Sequence, residues 1–394
     1  MLINNNPFQN RLLKEPVLKI SALMKVLFFI LVFSVFSVPD IFSEAQLITE
    51  QSYALNPDTV LNIINRNGSV SIMSHQRNDV IITMKKISWA WQGNNEIEKV
   101  RLEVREDTVK NKTIVETKYT IDEEKVFVYL EIKVPVSLKI NTIICNNGLV
   151  DLRDVFGAIS IVSNNSSVNG VNIAGSLKVT TNNGDISLDG IIGDVSLTVS
   201  TGKISIINIQ GNLVSDLRSG KITIQTLSGF VNSTINRGDI TLINSSGDAY
   251  IHVMSGSIQI SGLNGNAKTS ISEGLTRVRG VSGLIDAQSE NGSIKLSNVG
   301  GVMKCKTVNG SITADINSMP QSGTVLTTDN GDISVSFNNS INASLEIYNP
   351  RGNINTGRSI VVTEKHYDKL LGLMGNGGPS LIISTQNGSV SVRN

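Results

Sequence analysis

Arg277 and Arg279 stand two residues apart, and Lys295 follows Arg277 by 18. If 18 residues make one turn of a repeating coil, these cations share a face on adjacent coils and form a weak site for an anionic ligand, such as an acidic glycan or a surface phosphate. Lys268, Lys304 and Lys306 fall on the other face nearby. Sugar cleavage would instead need two or three carboxylates, or carboxylates with Arg or Lys, converging on one exposed strand face. The outward column that runs Ser187, Ser205, Thr223, Thr241, Gln259, Arg277, Lys295, Thr313 contains no acid. The opposite column, from Lys178 through Asn232 and Tyr250 to Lys304, contains Asp286 with no second carboxylate. Neither pattern predicts a catalytic residue, and the chain reads as a non-enzyme.

Other chemistry is equally sparse. His75, His252 and His366 are far apart and have no Cys or carboxylate at ligand spacing, so no metal is expected. Gly-Asp pairs at 184–185, 193–194, 238–239, 247–248 and 331–332 resemble calcium-binding repeats, but the full glycine-rich nonapeptide is absent and turn chemistry accounts for them. The glycines alternate with strand-like runs and never open a helix, which leaves no phosphate loop and no cofactor site.

What must position these side chains is a repeat. The phrase Asn-Gly-Asp-Ile-Ser-Leu at 183–188 returns as Ser-Gly-Lys-Ile-Thr-Ile at 219–224 and Asn-Gly-Ser-Ile-Lys-Leu at 291–296. Its glycines run from Gly148 to Gly310 in steps of 18, with Ser166 replacing one, and a second series from Gly157 to Gly301 bisects the first. Counting Gly202 as position 1, Ile204, Ile206 and Ile209 fall at positions 3, 5 and 8, with polar Lys203 just before the first and Ser205 between the first two. Alternation over short runs rich in Ile, Val and Thr, punctuated by Asn-Gly and Ser-Gly, predicts strands and turns. Without helices for crossovers, each coil closes its hydrogen bonds only against the next, which predicts an all-β parallel β-solenoid with 18-residue coils of two strands each. A three-sided coil of six-residue sides also totals 18; glycines nine apart favour two principal sides, and handedness stays open. Ten coils would stack to about 48 Å at ~4.8 Å per strand. At position 2, Asp185 precedes Lys203 by one coil and Lys221 precedes Asp239, so opposite charges are expected to meet and help fix register.

Composition sets further bounds. The 394 residues are 40% hydrophobic, 17% charged and 5% aromatic, with a net charge of +1. Residues 1–45 carry four cations and three anions, and without them the chain has 30 of each sign. Such a chain has no global field to draw it to nucleic acid. From Met24 a basic start, an apolar run and small residues near Ser43-Glu44-Ala45 predict a secretory signal peptide, with Met24 as an alternative start. No second apolar span follows, so no membrane span is expected in the mature chain. Cys145 and Cys305 both point inward by phase and lie about nine coils, roughly 40 Å, apart, which predicts buried free thiols.

The expected organisation is a signal peptide with possible upstream extension (1–45), a less regular N-terminal β cap (46–138), a regular β-solenoid (139–318) and irregular C-terminal coils with a cap (319–394). The cap contains Trp89, Trp91 and the charged stretch from Glu96 to Lys125. Tyr367, Leu370, Leu371 and Met374 have helical spacing and suggest one short amphipathic helix.

The step Val134-Pro135 before Leu138-Lys139-Ile140, the serial Asn-Gly-Asp/Ser-Ile-x-Leu phrases and Gly375 to Pro379 together resemble the bacterial candidate-adhesin family, over roughly residues 55–394. That resemblance implies an exported β-solenoid of a domain family without an assigned function, and attachment to cells or surfaces. The leading expectation is an exported, adhesin-like binding protein, at the cell surface, extracellular or periplasmic, whose partner is a surface glycan or an envelope or host protein. The alternatives are a periplasmic or envelope scaffold that binds protein through a cap or edge, and a carbohydrate-active enzyme.

Overall fold

The computed structural model describes residues 45–393 except 57, 90–92, 338–340 and 358–359. The signal peptide, but for its last residue, and Trp91 lie outside the described residues. The chain forms a parallel β-solenoid. Each period stacks on the one before without slippage through the middle of the stack: Val195 pairs with Leu213, then Val231, then Ala249, while Ile204 pairs with Ile222, Ile240 and Ile258. Inward side chains at positions 3, 5, 8, 12, 14 and 16 fill a continuous apolar core, and the residues between them face out. Positions 2–6 make a first face and positions 12–17 a second. In Leu177–Asn183 and Ile186–Ile192 these are separate strands. Across Val195–Gln210, Leu213–Ser228, Val231–Ser246 and Ala249–Asn264 they merge, because ladder hydrogen bonds continue through the glycine corner.

That corner requires glycine. Gly220 sits at φ 145°, and a Cβ there would lie 1.8 Å from the carbonyl oxygen of Gly202 in the coil before. No L side chain fits both constraints. Ser166, the exception, is fully buried and donates its hydroxyl to the Cys145 carbonyl at 2.7 Å. A third bend falls at position 7, where Asn172, Asn208, Thr226, Asn244 and Asn298 take left-handed φ of 48–57° and Gly190, Gly262 and Gly280 stand in register with them. The two principal sides are therefore joined at one end by a short third one. Its signal, Asn or Gly every 18 residues, was in the sequence beside the stronger glycine series.

Both ends of the stack depart from chain order. Val60–Asn65 and Val70–His75 form a coil held between Lys139–Cys145 with Asn147–Arg153 on one side and Lys112–Tyr119 with Phe127–Pro135 on the other. Antiparallel strands then extend the stack outward: Val100–Asp107 on Lys112–Tyr119, and Val80–Ser88 followed by Ala45–Tyr53 on Phe127–Pro135. Here Glu116 is buried against Arg105 at 2.6 Å and Lys118 at 2.8 Å; burial alone would raise its pKa, but these cations hold it below the ordinary value.

At the other end, Ser380–Asn387 and Val390–Arg393, the last strands of the chain, slot between Thr324–Asn330 with Ile333–Phe337 and Ala343–Tyr348 with Ile354–Thr356. The helix suggested at Tyr367–Met374 is instead the strand Lys369–Met374, antiparallel to both Ala343–Tyr348 and Ile360–Lys365. Its buried residues, Leu370, Gly372 and Met374, alternate, and pairing on two sides outweighs a local helical spacing that Gly372 already weakens.

Candidate ligand-binding faces

The first face places the predicted cations side by side. Arg277 pairs in register with Lys295, and Arg279, two residues along the same strand, pairs with Ser297. All three side chains are exposed. They line a shallow trough of about 390 Å³ with Gln259, Ser261 and Thr313. None of the three side chains forms an ion pair or hydrogen bond among the described residues. Asp315 also borders the trough, two coils beyond Arg279, and one of its carboxylate oxygens is buried without a partner. The trough is thus three cations with one acid at its rim.

The outward column expected from Ser187 to Thr313, hydroxyls as far as Thr241, is present, residue against residue. It also runs past the repeat. Asn169 and Asp151 continue it before Ser187, Ser71 pairs with Asp151, and Glu131 pairs with Ser71. Two acids are therefore in line with the column, Asp151 two periods before Ser187 and Glu131 in the irregular N-terminal segment, but each is engaged: Asp151 with Arg153 at 3.0 Å and Glu131 with Lys133 at 3.3 Å. On the second face Asp286 pairs in register with both Lys268 and Lys304, so the cations of that side are interrupted by an acid.

Two expectations about charges change. Lys221 does stand beside Asp239, but it also stands beside Lys203, and Asp185 turns its carboxylate to the backbone N–H of Lys203 at 2.8 Å instead of meeting the ammonium. A fixed N–H one coil away is a nearer partner than a mobile lysine tip, and holding it costs less side-chain freedom. The other Gly-Asp pairs do the same work. Asp194, Asp248 and Asp332 accept from Asn212, Asn266 and Ser389 backbone N–H groups at 2.9, 2.9 and 2.7 Å, and Asp239 accepts from the Ser257 hydroxyl. These aspartates staple corners to one another.

The histidines stay apart. His75 bonds the Asp79 carbonyl at 2.7 Å, His366 contacts Glu364, and His252 is exposed on the second face. Among the described residues no three His, Cys, Asp or Glu side chains converge as metal ligands would. Cys145 and Cys305 are buried free thiols, as expected, and burial pushes their pKa values up to about 11 and about 12. No helix among the described residues is long and apolar enough to cross a membrane.

No model of a known protein family matches the chain, and no curated protein does. Among solved structures it is similar to a candidate cell adhesion protein from Clostridium sporogenes, at 9% identity over 88% of this chain and 99% of that one, with a TM-score of 0.16. It is also similar to a candidate adhesin from Parabacteroides distasonis, at 12% identity over 68% and 97% of the two chains, TM-score 0.27. A candidate lipid-binding protein from the same organism matches at 14% identity over 68% and 96%, TM-score 0.25.

Proposed function

We propose that this protein is an exported, non-enzymatic binding protein that attaches adhesin-like to a surface, with Arg277, Arg279 and Lys295 taking an anionic group of a glycan or a surface phosphate. The observation that carries the reading is the set of three cations on adjacent strands that make no ion pair among the described residues, with a single acid, Asp315, at the rim of their trough. Like charges side by side in a ladder repel, and an external anion relieves that repulsion. The strands beneath them are paired on both sides, so little backbone ordering is needed on binding.

Immobilised heparin, as a sulfated glycan, and inorganic polyphosphate are the probes. Binding should weaken as salt rises and disappear in Arg277→Ser/Arg279→Ser/Lys295→Ser. Retention by the triple variant would sink the proposal. Fractionation of native cells, with protease added to intact ones, tests export: a protein exposed and cleaved outside agrees with attachment, and one protected in the periplasm does not. A scaffold role has its own support in the edge of Ile360–Lys365, which among the described residues pairs on one side only and exposes Val361 and Val362. Capture of an envelope protein through that edge by a periplasmic form would favour it.

A further inference from the structure

Residues 139–318 contain three aromatic residues, Phe156, Phe230 and Tyr250. The core of these coils takes none of the rings; its positions are filled by Ile, Leu, Val, Met303 and smaller side chains. Yet Phe230 and Tyr250 stand together on the second face, on successive coils, with ring centroids 5.3 Å apart and planes inclined at 51°. Phe230 sits at a corner whose backbone is fixed by its N–H donating to Asn212 Oδ1 at 3.0 Å. Tyr250 is 44% exposed.

Polar groups flank the rings. Asn232 and Lys268 lie directly on either side of Tyr250 in the ladder, and His252 is two residues further along its strand. All three side chains are exposed, and none of them makes a hydrogen bond or ion pair among the described residues. Two tilted rings offer negative π faces to weakly positive C–H bonds. An amide, an imidazole and an ammonium beside them offer donors and an acceptor to hydroxyls. A pyranose ring has both features, a C–H face and a rim of hydroxyls. A purely apolar partner would bury the three polar groups unsatisfied. A nucleic acid strand would need cations tracking its backbone, whereas Asp216 lies in the same column as His252.

We propose that Phe230 and Tyr250 form a saccharide-binding platform, on which a pyranose of a surface glycan stacks while Asn232, His252 and Lys268 hold its hydroxyls. The platform occupies the face opposite the Arg277 trough, so the two sites stand or fall separately.

Saturation-transfer NMR on the full chain tests it, with the methyl glycosides of glucose, galactose, mannose and N-acetylglucosamine as probes. Transfer should reach the C–H protons of one ring face of at least one of them. Tyr250→Ala should weaken that binding roughly tenfold, Tyr250→Trp should preserve it, and Arg277→Ser/Arg279→Ser/Lys295→Ser should leave it unchanged. Absence of transfer to every probe, or transfer of equal strength in Phe230→Ala/Tyr250→Ala, would overturn the proposal.

Discussion

A single residue in this fold is governed by which way it points. Ile222 is fully buried and Thr223 faces outward on the hydroxyl ladder. Ile222→Asp should therefore unfold the solenoid by burying an unpaired charge, whereas Thr223→Lys should shift the urea midpoint little. Equal stability of the two variants would mean that the inward phase is wrong. Thr276 takes an inward position between Ile258 and Ile294, and its hydroxyl is buried with no partner. Thr276→Val removes that hydroxyl and should stabilise the protein by about 1 kcal/mol in urea unfolding. The thiols give a pH signature. Burial raises Cys145 to about 11 and Cys305 to about 12, so unfolded thiols lose their protons first as pH rises. Their contribution is complete below the unfolded pKa of about 8.5 and is lost as pH climbs through the folded values. Stability should fall less steeply above pH ~9 in Cys145→Ala/Cys305→Ala than in the parent, and native thiols should resist labelling until denaturant is added.

At the scale of strands, the ends are interleaved. Because Ser380–Asn387 and Val390–Arg393 are paired on both sides, the end of the chain should exchange its amide protons as slowly as a central strand such as Leu213–Ser228. Deleting residues 380–394 should also strip protection from Ala343–Tyr348, which would lose its parallel neighbour. Fast exchange at the end of the native chain would contradict this packing. None of it was legible in Asn387-Gly388-Ser389-Val390, which reads like every other copy of the phrase. The phrase specifies a corner and a strand but not which coil it lies on. The same holds at Tyr367–Met374, where a helical spacing is overridden by the two strands that pair with Lys369–Met374.

For the molecule as a whole, contacts run from coil to neighbouring coil, so the solenoid should tolerate the loss of whole periods. Deleting residues 195–248 joins Asp194 to Ala249 in phase and should give a shorter, cooperatively folded protein by circular dichroism; deleting 195–245 turns the inward residues out of phase and should not. Failure of both deletions would mean that the stack folds only as a unit of fixed length. The candidate site was partly readable for the same reason. Arg277 and Lys295 differ by one period, so their adjacency follows from the numbering, whereas Phe230 and Tyr250 occupy positions 11 and 13 of successive coils and meet only through ring size and tilt. By itself the sequence determined the period, the strand faces, the inward residues and the free thiols, because each depends on alternation and on a neighbour one coil away. The tertiary structure alone decided the order of coils at the two ends and the alignment of Ser71 and Glu131 with the outward column. Near-identical phrases are interchangeable in local energy, and only closure of the whole ladder chooses among them.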